Sequence, residues 1–391
     1  MWRIAHSILA ASLLIAWGVP ANSSARAAET MTPLLLAVHD APVPFAGSDG
    51  RVHLVYELWM MNFSSGDLAI QRVEVFGGGR LLENLDSTAV AGRLQRVGER
   101  KSGATLGPGQ QALLFLHITL AAGAAVPHEI SHTILLKASA APPGQQERNE
   151  AGGAATVDRQ EIAVIGPPLR GERYISADSC CDASRHTRAA MPVNGRAWVA
   201  QRYAVDWEEL DVHGLIYSGP REKLASYTIF GKPVLAVANG TVTAVTDGLP
   251  EQTPGKFPTN ISLDKADGNS VILDLGGNRY AMYAHMQPGS IRVRKGERVT
   301  LGQVIGFVGD SGNSIAPHLH FQVMSMPSSL ASNGLPYAID RFEVTGRTHG
   351  TPAFDAAEAA GTPLAITPIS PAKLVRSALP LDQLEITFTR Q

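Results

Sequence analysis

The chain has 391 residues, 17% of them charged and 45% hydrophobic, which excludes a disordered polypeptide and gives room for two or three domains. Its formal charge is −2, and removing residues 1–27, which hold Arg3 and Arg26 but no acid, leaves 31 basic against 35 acidic residues. A mature charge of −4 gives no polycationic surface, so nucleic acid is not an expected partner.

Residues 1–27 read as a signal peptide. Arg3 precedes the apolar run 8–19, and Ala25-Arg26-Ala27 offers a small-x-small cleavage site. The run is short for a membrane span, so the expectation is an exported protein, periplasmic or secreted. Export permits disulfides, yet only Cys180 and Cys181 are present, and they are adjacent. They read as a local feature, not as a framework.

Residues 28–165 are expected to form an Ig-like β-sandwich. Strand patterns recur at 52–59, 70–76, 112–120 and 130–136, separated by turn clusters such as Gly77-Gly78-Gly79 and Gly107-Pro108-Gly109. Its histidines (His39, His53, His117, His128 and His132) are scattered, which suits structural roles. Residues 142–153 are polar and rich in Gly, Pro and Gln, as in an exposed loop. A short strand at 161–165 closes the domain, and residues 166–179, opening on Gly166-Pro167-Pro168, read as a linker.

Residues 180–345 read as a second β-rich domain. Asn194-Gly195 is a hairpin signal between strand patterns at 187–193 and 196–207. Further strands are expected at 233–238, 240–246, 270–275 and 279–285. Glycines at 296, 302, 306, 309 and 312 punctuate an apolar stretch, permitting tight turns. Residues 346–391 form an Ala- and Pro-rich tail that ends strand-like at 384–388 and is expected to dock on the sandwich.

His318-Leu319-His320-Phe321 stands out. Successive strand side chains leave on opposite faces, so His318 and His320 share one face while Leu319 and Phe321 enter a core. Two imidazoles on one rigid face suit a metal site or proton transfer.

With the blocks that precede it, this strand resembles the lysostaphin-type (LytM-like) zinc metallopeptidases. Matching segments are 231–242 (Gly-Lys-Pro-Val-Leu-Ala-Val-Ala-Asn-Gly-Thr-Val), Gly268-Asn269-Ser270-Val271, Tyr283-Ala284-His285, the glycine-punctuated block 293–312, and Pro317-His318-Leu319-His320-Phe321. The resemblance covers roughly residues 180–325 and implies an antiparallel β domain, a duplicated hybrid motif, with a groove around one zinc. It implies His320 and Asp206 as zinc ligands and His285 and His318 as the catalytic pair. Asn269 either lines the groove as a substrate contact or only forms a turn. Such members act on peptides of bacterial peptidoglycan.

One position departs from the family's pattern. The first ligand histidine belongs four residues before the aspartate, where this chain has Arg202, a group that only donates. His213 is one substitute. His186 is another, on a register argument. A three-residue 193–195 loop pairs His186 with Arg202 and puts it on the face of Asp206, whereas a two-residue turn pairs it with Tyr203 and turns it away. Arg202 then leans aside or holds a substrate carboxylate. Two functions follow. One is an exported zinc endopeptidase acting on cell-wall peptides. The other is a non-catalytic groove that binds wall peptides or activates a partner cell-wall hydrolase.

Overall fold

The alternating patterns become strands throughout the computed structural model, which describes residues 31–99 and 101–388. The expected signal peptide lies outside the described residues. Among those described, no helix is long and apolar enough to cross a membrane.

The N-terminal part is a sandwich of two five-stranded sheets. One is built on Val52–Asn62 and Gln111–Thr119, the other on Leu68–Gly77 and Glu129–Ala138. Leu54, Tyr56 and Leu58 from the first meet Val73, Val75 and Ile134 from the second in one core. The expected loop at 142–153 is largely a strand, Glu147–Thr156, on the outside of Glu129–Ala138. An edge strand has one neighbour and an open face, so it forms from Arg, Asn, Ala and Gly without an apolar pattern.

The second part is built on an eleven-stranded sheet, with Pro233–Leu235 and Val304–Phe307 paired separately beside it. The sheet runs from Ala163–Ile165 through Tyr337–Thr348, Leu384–Phe388, Gly171–Ala177, Val205–Glu209, Leu319–Met324, Arg279–Met286, Asn269–Gly276 and Gly240–Thr246 to Arg298–Val299. Ile366–Ala378 pairs with Tyr337–Thr348 off this path. Two boundary expectations are corrected here. The supposed linker 166–179 contains Gly171–Ala177, a central strand whose Tyr174 and Ile175 are fully buried. The tail's Leu384–Phe388 lies between that strand and Tyr337–Thr348, so it completes the second sheet. The tail also meets the sandwich, where Ser48 N donates to Leu379 O and Lys373 Nζ to Ser48 O.

The hairpin before the site differs from the expected one. Val193 pairs with Arg196 across Asn194-Gly195, both at positive φ, which is the two-residue type I′ arrangement. Its strands, Met191–Val193 and Arg196–Trp198, are short, and residues 199–203 form a turn before Val205–Glu209. His186 belongs to neither strand but to a short helix, Ser184–Thr187. Cys180 and Cys181 are joined to each other.

Candidate metal centre and groove

Asp206 sits on Val205–Glu209 directly opposite His320 on Leu319–Met324, and Ala284 of Arg279–Met286 pairs with His320 on the other side. Directly paired residues point to the same face, so the register alone brings Asp206 and His320 together. His285, at the end of the Arg279–Met286 strand, has a φ of 60°, a strained value for a residue with a side chain. Its amide donates to Asp267 O and its ring to Ser311 O. Gly312 makes that turn possible, because a Cβ there would collide with the backbone of Gly268.

Each of four imidazoles has its outer nitrogen tied to an acceptor. His186 Nδ1 donates to Asp178 O (2.8 Å), His318 Nδ1 to Ala316 O (2.8 Å), and His285 Nδ1 to Ser311 O (2.7 Å). His320 Nε2 donates to Gln322 Oε1 (2.8 Å), whose amide nitrogen is turned to Met324 Sδ. A neutral imidazole with one nitrogen donating offers a lone pair at the other. Three of those other nitrogens face one carboxylate. His320 Nδ1 is 2.9 Å from Asp206 Oδ1, His186 Nε2 is 3.4 Å from Asp206 Oδ2, and His318 Nε2 is 3.5 Å from Asp206 Oδ1.

Lone pairs this close to a carboxylate repel unless a proton or a metal ion lies between them. One ligand atom from each of His186, Asp206 and His320 falls within 4.8 Å of the other two. Two imidazoles and a carboxylate with a position to spare suit zinc, and the outer hydrogen bonds are those that orient a ligating histidine. The residues present therefore fit a zinc ion.

Where a proton and not a metal ion lies between these groups, they pair as charges. Burial opposes ionisation of Asp206, but the His186 and His318 rings hold its carboxyl well below the usual range. Burial also opposes charge on His186, yet Asp206 and then Asp178 outweigh it and push the ring up to about 9. His285 goes the other way. Burial, then the His318 and His320 rings, push it well below its ordinary value and keep it neutral.

The open groove around these rings, about 590 Å³, also touches Glu208, Phe257 and Ser314, with Phe354, Asp355 and Glu358 from the tail. Thus His186, Asp206, His285, His318 and His320 are brought together, whereas two expected substrate contacts are not among them. Arg202 lies in the turn before the strand, 5% exposed, with Nε and Nη2 on the Glu57 carboxylate of the sandwich (2.9 and 2.6 Å). Its guanidinium is committed to that partner. Asn269 is fully buried and clamps the backbone of Leu249 and Met286. His213 is exposed in a turn and does not line the groove.

Sequence reasoning missed Gln322, Asp355 and Glu358. Gln322 stands two residues beyond His320 on the same face, a legible signal. The helix Thr351–Ala360 carries no local cue that it folds back onto the groove.

Residues 225–332 match the family model described as peptidase family M23. His285, His318 and His320 fall inside that match, and His186 and Asp206 precede it. The peptidoglycan DD-endopeptidase ShyA of Vibrio cholerae is 32% identical over 107 residues, 27% of this chain and 24% of ShyA. The glycyl-glycine endopeptidase ALE-1 of Staphylococcus capitis is 37% identical over 73 residues, 18% of this chain and 20% of ALE-1. The solved catalytic domain of lysostaphin from Staphylococcus simulans aligns over 42% of this chain and 86% of its own, at 22% identity and a TM-score of 0.22. The chain spans about a quarter of the length of the curated relatives it matches.

Proposed function

We propose, from the premise that residues 225–332 form a peptidase family M23 domain, that this protein is an exported zinc endopeptidase cleaving peptides of bacterial peptidoglycan. The observation that carries the reading is the convergence of histidine lone pairs on Asp206 with every outer ring nitrogen already bonded. The endopeptidase names of ShyA and ALE-1 support the substrate class.

His186, Asp206 and His320 would hold the metal. A zinc ion held by two imidazoles and a carboxylate would polarise a carbonyl and acidify water near neutral pH. Gln322 and the Asp178 carbonyl keep His320 and His186 in the ligating tautomer. His285, neutral and with its Nδ1 proton fixed on Ser311, has its Nε2 free to accept a proton. His318, with ring centroid 4.7 Å from that of His285 and Nδ1 held by Ala316 O, is placed to stabilise negative charge growing on the carbonyl oxygen once its Nε2 also carries a proton and donates.

The test is digestion of purified peptidoglycan sacculi, with products read by mass spectrometry. The zinc-loaded chain should release muropeptides with new amino termini. His285→Ala and His318→Ala should each slow release by roughly two to four orders of magnitude while keeping zinc. Intact sacculi after prolonged digestion by the zinc-loaded chain would instead support a non-catalytic module that binds wall peptides or activates a partner hydrolase.

A further inference from the structure

We propose that the groove takes a peptide bearing a cationic side chain, an ammonium or guanidinium, whose charge seats against Glu208 and Glu358. This rests on the reading of the groove as the peptide site. Glu208 stands two residues beyond Asp206 on the Val205–Glu209 strand, so its side chain leaves on the same face. It is 7% exposed, lines the groove, and its Oε2 has no hydrogen-bond partner. Glu358, from the tail helix Thr351–Ala360, is 8% exposed, lines the same groove, and its Oε1 also lacks a hydrogen-bond partner. Its nearest cation is Arg221, whose Nη2 is 3.9 Å away.

Asp178 and Asp355 add to this wall, but they are already neutralised. Arg185 bridges both, at 2.7 Å and 2.5 Å, and it is the only arginine or lysine among the described residues lining the groove. Two carboxylates beside the metal centre are thus left short of donors.

A carboxylate oxygen without a donor in a buried wall is costly and is ordinarily satisfied by something. The carboxyl groups that carry these atoms line an open groove whose one arginine or lysine, among the described residues, is committed to Asp178 and Asp355, so the balancing charge is one that arrives with the ligand. An ammonium brings three donors and a guanidinium five. Phe257, 82% exposed on the groove's lining, offers an apolar face for the aliphatic stem of such a side chain.

The experiment is calorimetric titration of the full chain, as purified, with the peptide Ala-Ala-Lys-Ala-Ala and with its Nε-acetylated twin. Mass spectrometry of the same samples reports whether either is cut. The lysine form should bind at least about tenfold more tightly, the scale of one hydrogen-bonded charge. Glu208→Gln and Glu358→Gln should each narrow the gap, and the double variant should close it. Displacement of the lysine peptide from the unmodified chain by n-butylammonium chloride reads the same contact without a variant. Equal affinity of the twin peptides, binding of neither, or a preference surviving the double substitution would overturn the proposal. A lysine preference together with intact sacculi after digestion by the zinc-loaded chain would keep the subsite and remove the peptidase reading, so the two are separable.

Discussion

At the residue scale, the centre depends on where protons are, and the same holds just beside it. Glu251 accepts the Asp310 amide through Oε2 at 2.6 Å, pinning the long 247–268 excursion to the turn that carries Ser311. Its Oε1 has no hydrogen-bond partner. Burial pushes Glu251 up to about 7 and Asp310 up to about 6. Both folded values lie above the unfolded ones, so the folded state binds more protons between them. Their contribution is fully present below about pH 4, and stability is lost as pH rises towards 7. Glu251→Gln keeps an acceptor for the amide and removes the larger of the two titrations. Denaturant midpoints should show this variant more stable than the parent at pH 8, by on the order of 1 kcal/mol after allowance for partial solvent access. At pH 4.5 it should show little difference. An unchanged pH profile would show that Glu251 is not held protonated by the fold.

At the element scale, the sequence reading succeeded where one face is buried and failed where the chain turns. Leu319, Phe321 and Val323 are fully buried, as their alternation requires, and His318 and His320 reach the groove together. The strand at 384–388 was legible for the same reason, although its neighbours were not: pairing across two hundred residues leaves no local mark. The Arg202 position was misread because the pattern at 196–207 looks like one long strand. The turn at 199–203 breaks it, and only Asp206 stays on the groove's strand. The register argument for His186 used the wrong loop length, since the turn has two residues. His186 still lies 3.4 Å from Asp206, because the helix Ser184–Thr187 delivers it and the hairpin does not. The acidic wall was half legible. Glu208 follows from strand periodicity, but Glu358 depends on where a distant helix docks, against Ile175, Leu210 and Tyr227.

At the scale of the whole molecule, the sandwich and the sheet domain are joined by a buried ion pair. Glu57 is fully buried and grips Arg202 with both oxygens, while Asp40 meets Arg196 at 3.0 Å nearby. The arginine that stands where a ligand histidine was expected therefore fastens the sandwich four residues upstream of Asp206. Removing one member of such a pair leaves a buried charge without a partner, at a cost of about 3–5 kcal/mol. Glu57→Gln and Arg202→Met should each lower the midpoint of thermal unfolding. The combined variant should be more stable than the sum of the two losses predicts, because neither charge is then stranded. Strict additivity in calorimetric melts would show that the pair does not couple the two parts.

The central claim is that His186, Asp206 and His320 hold one zinc ion, and metal content tests it most directly. The full chain should be exchanged into zinc, freed of excess and analysed by atomic emission, alongside His186→Ala and His320→Ala variants whose fold is checked by circular dichroism. The account predicts one zinc per chain in the parent and loss of stoichiometric zinc in both variants, because a site short of one ligand offsets too little of the ion's hydration. Full zinc retention by folded His186→Ala, or a parent chain that holds none after loading, would contradict it.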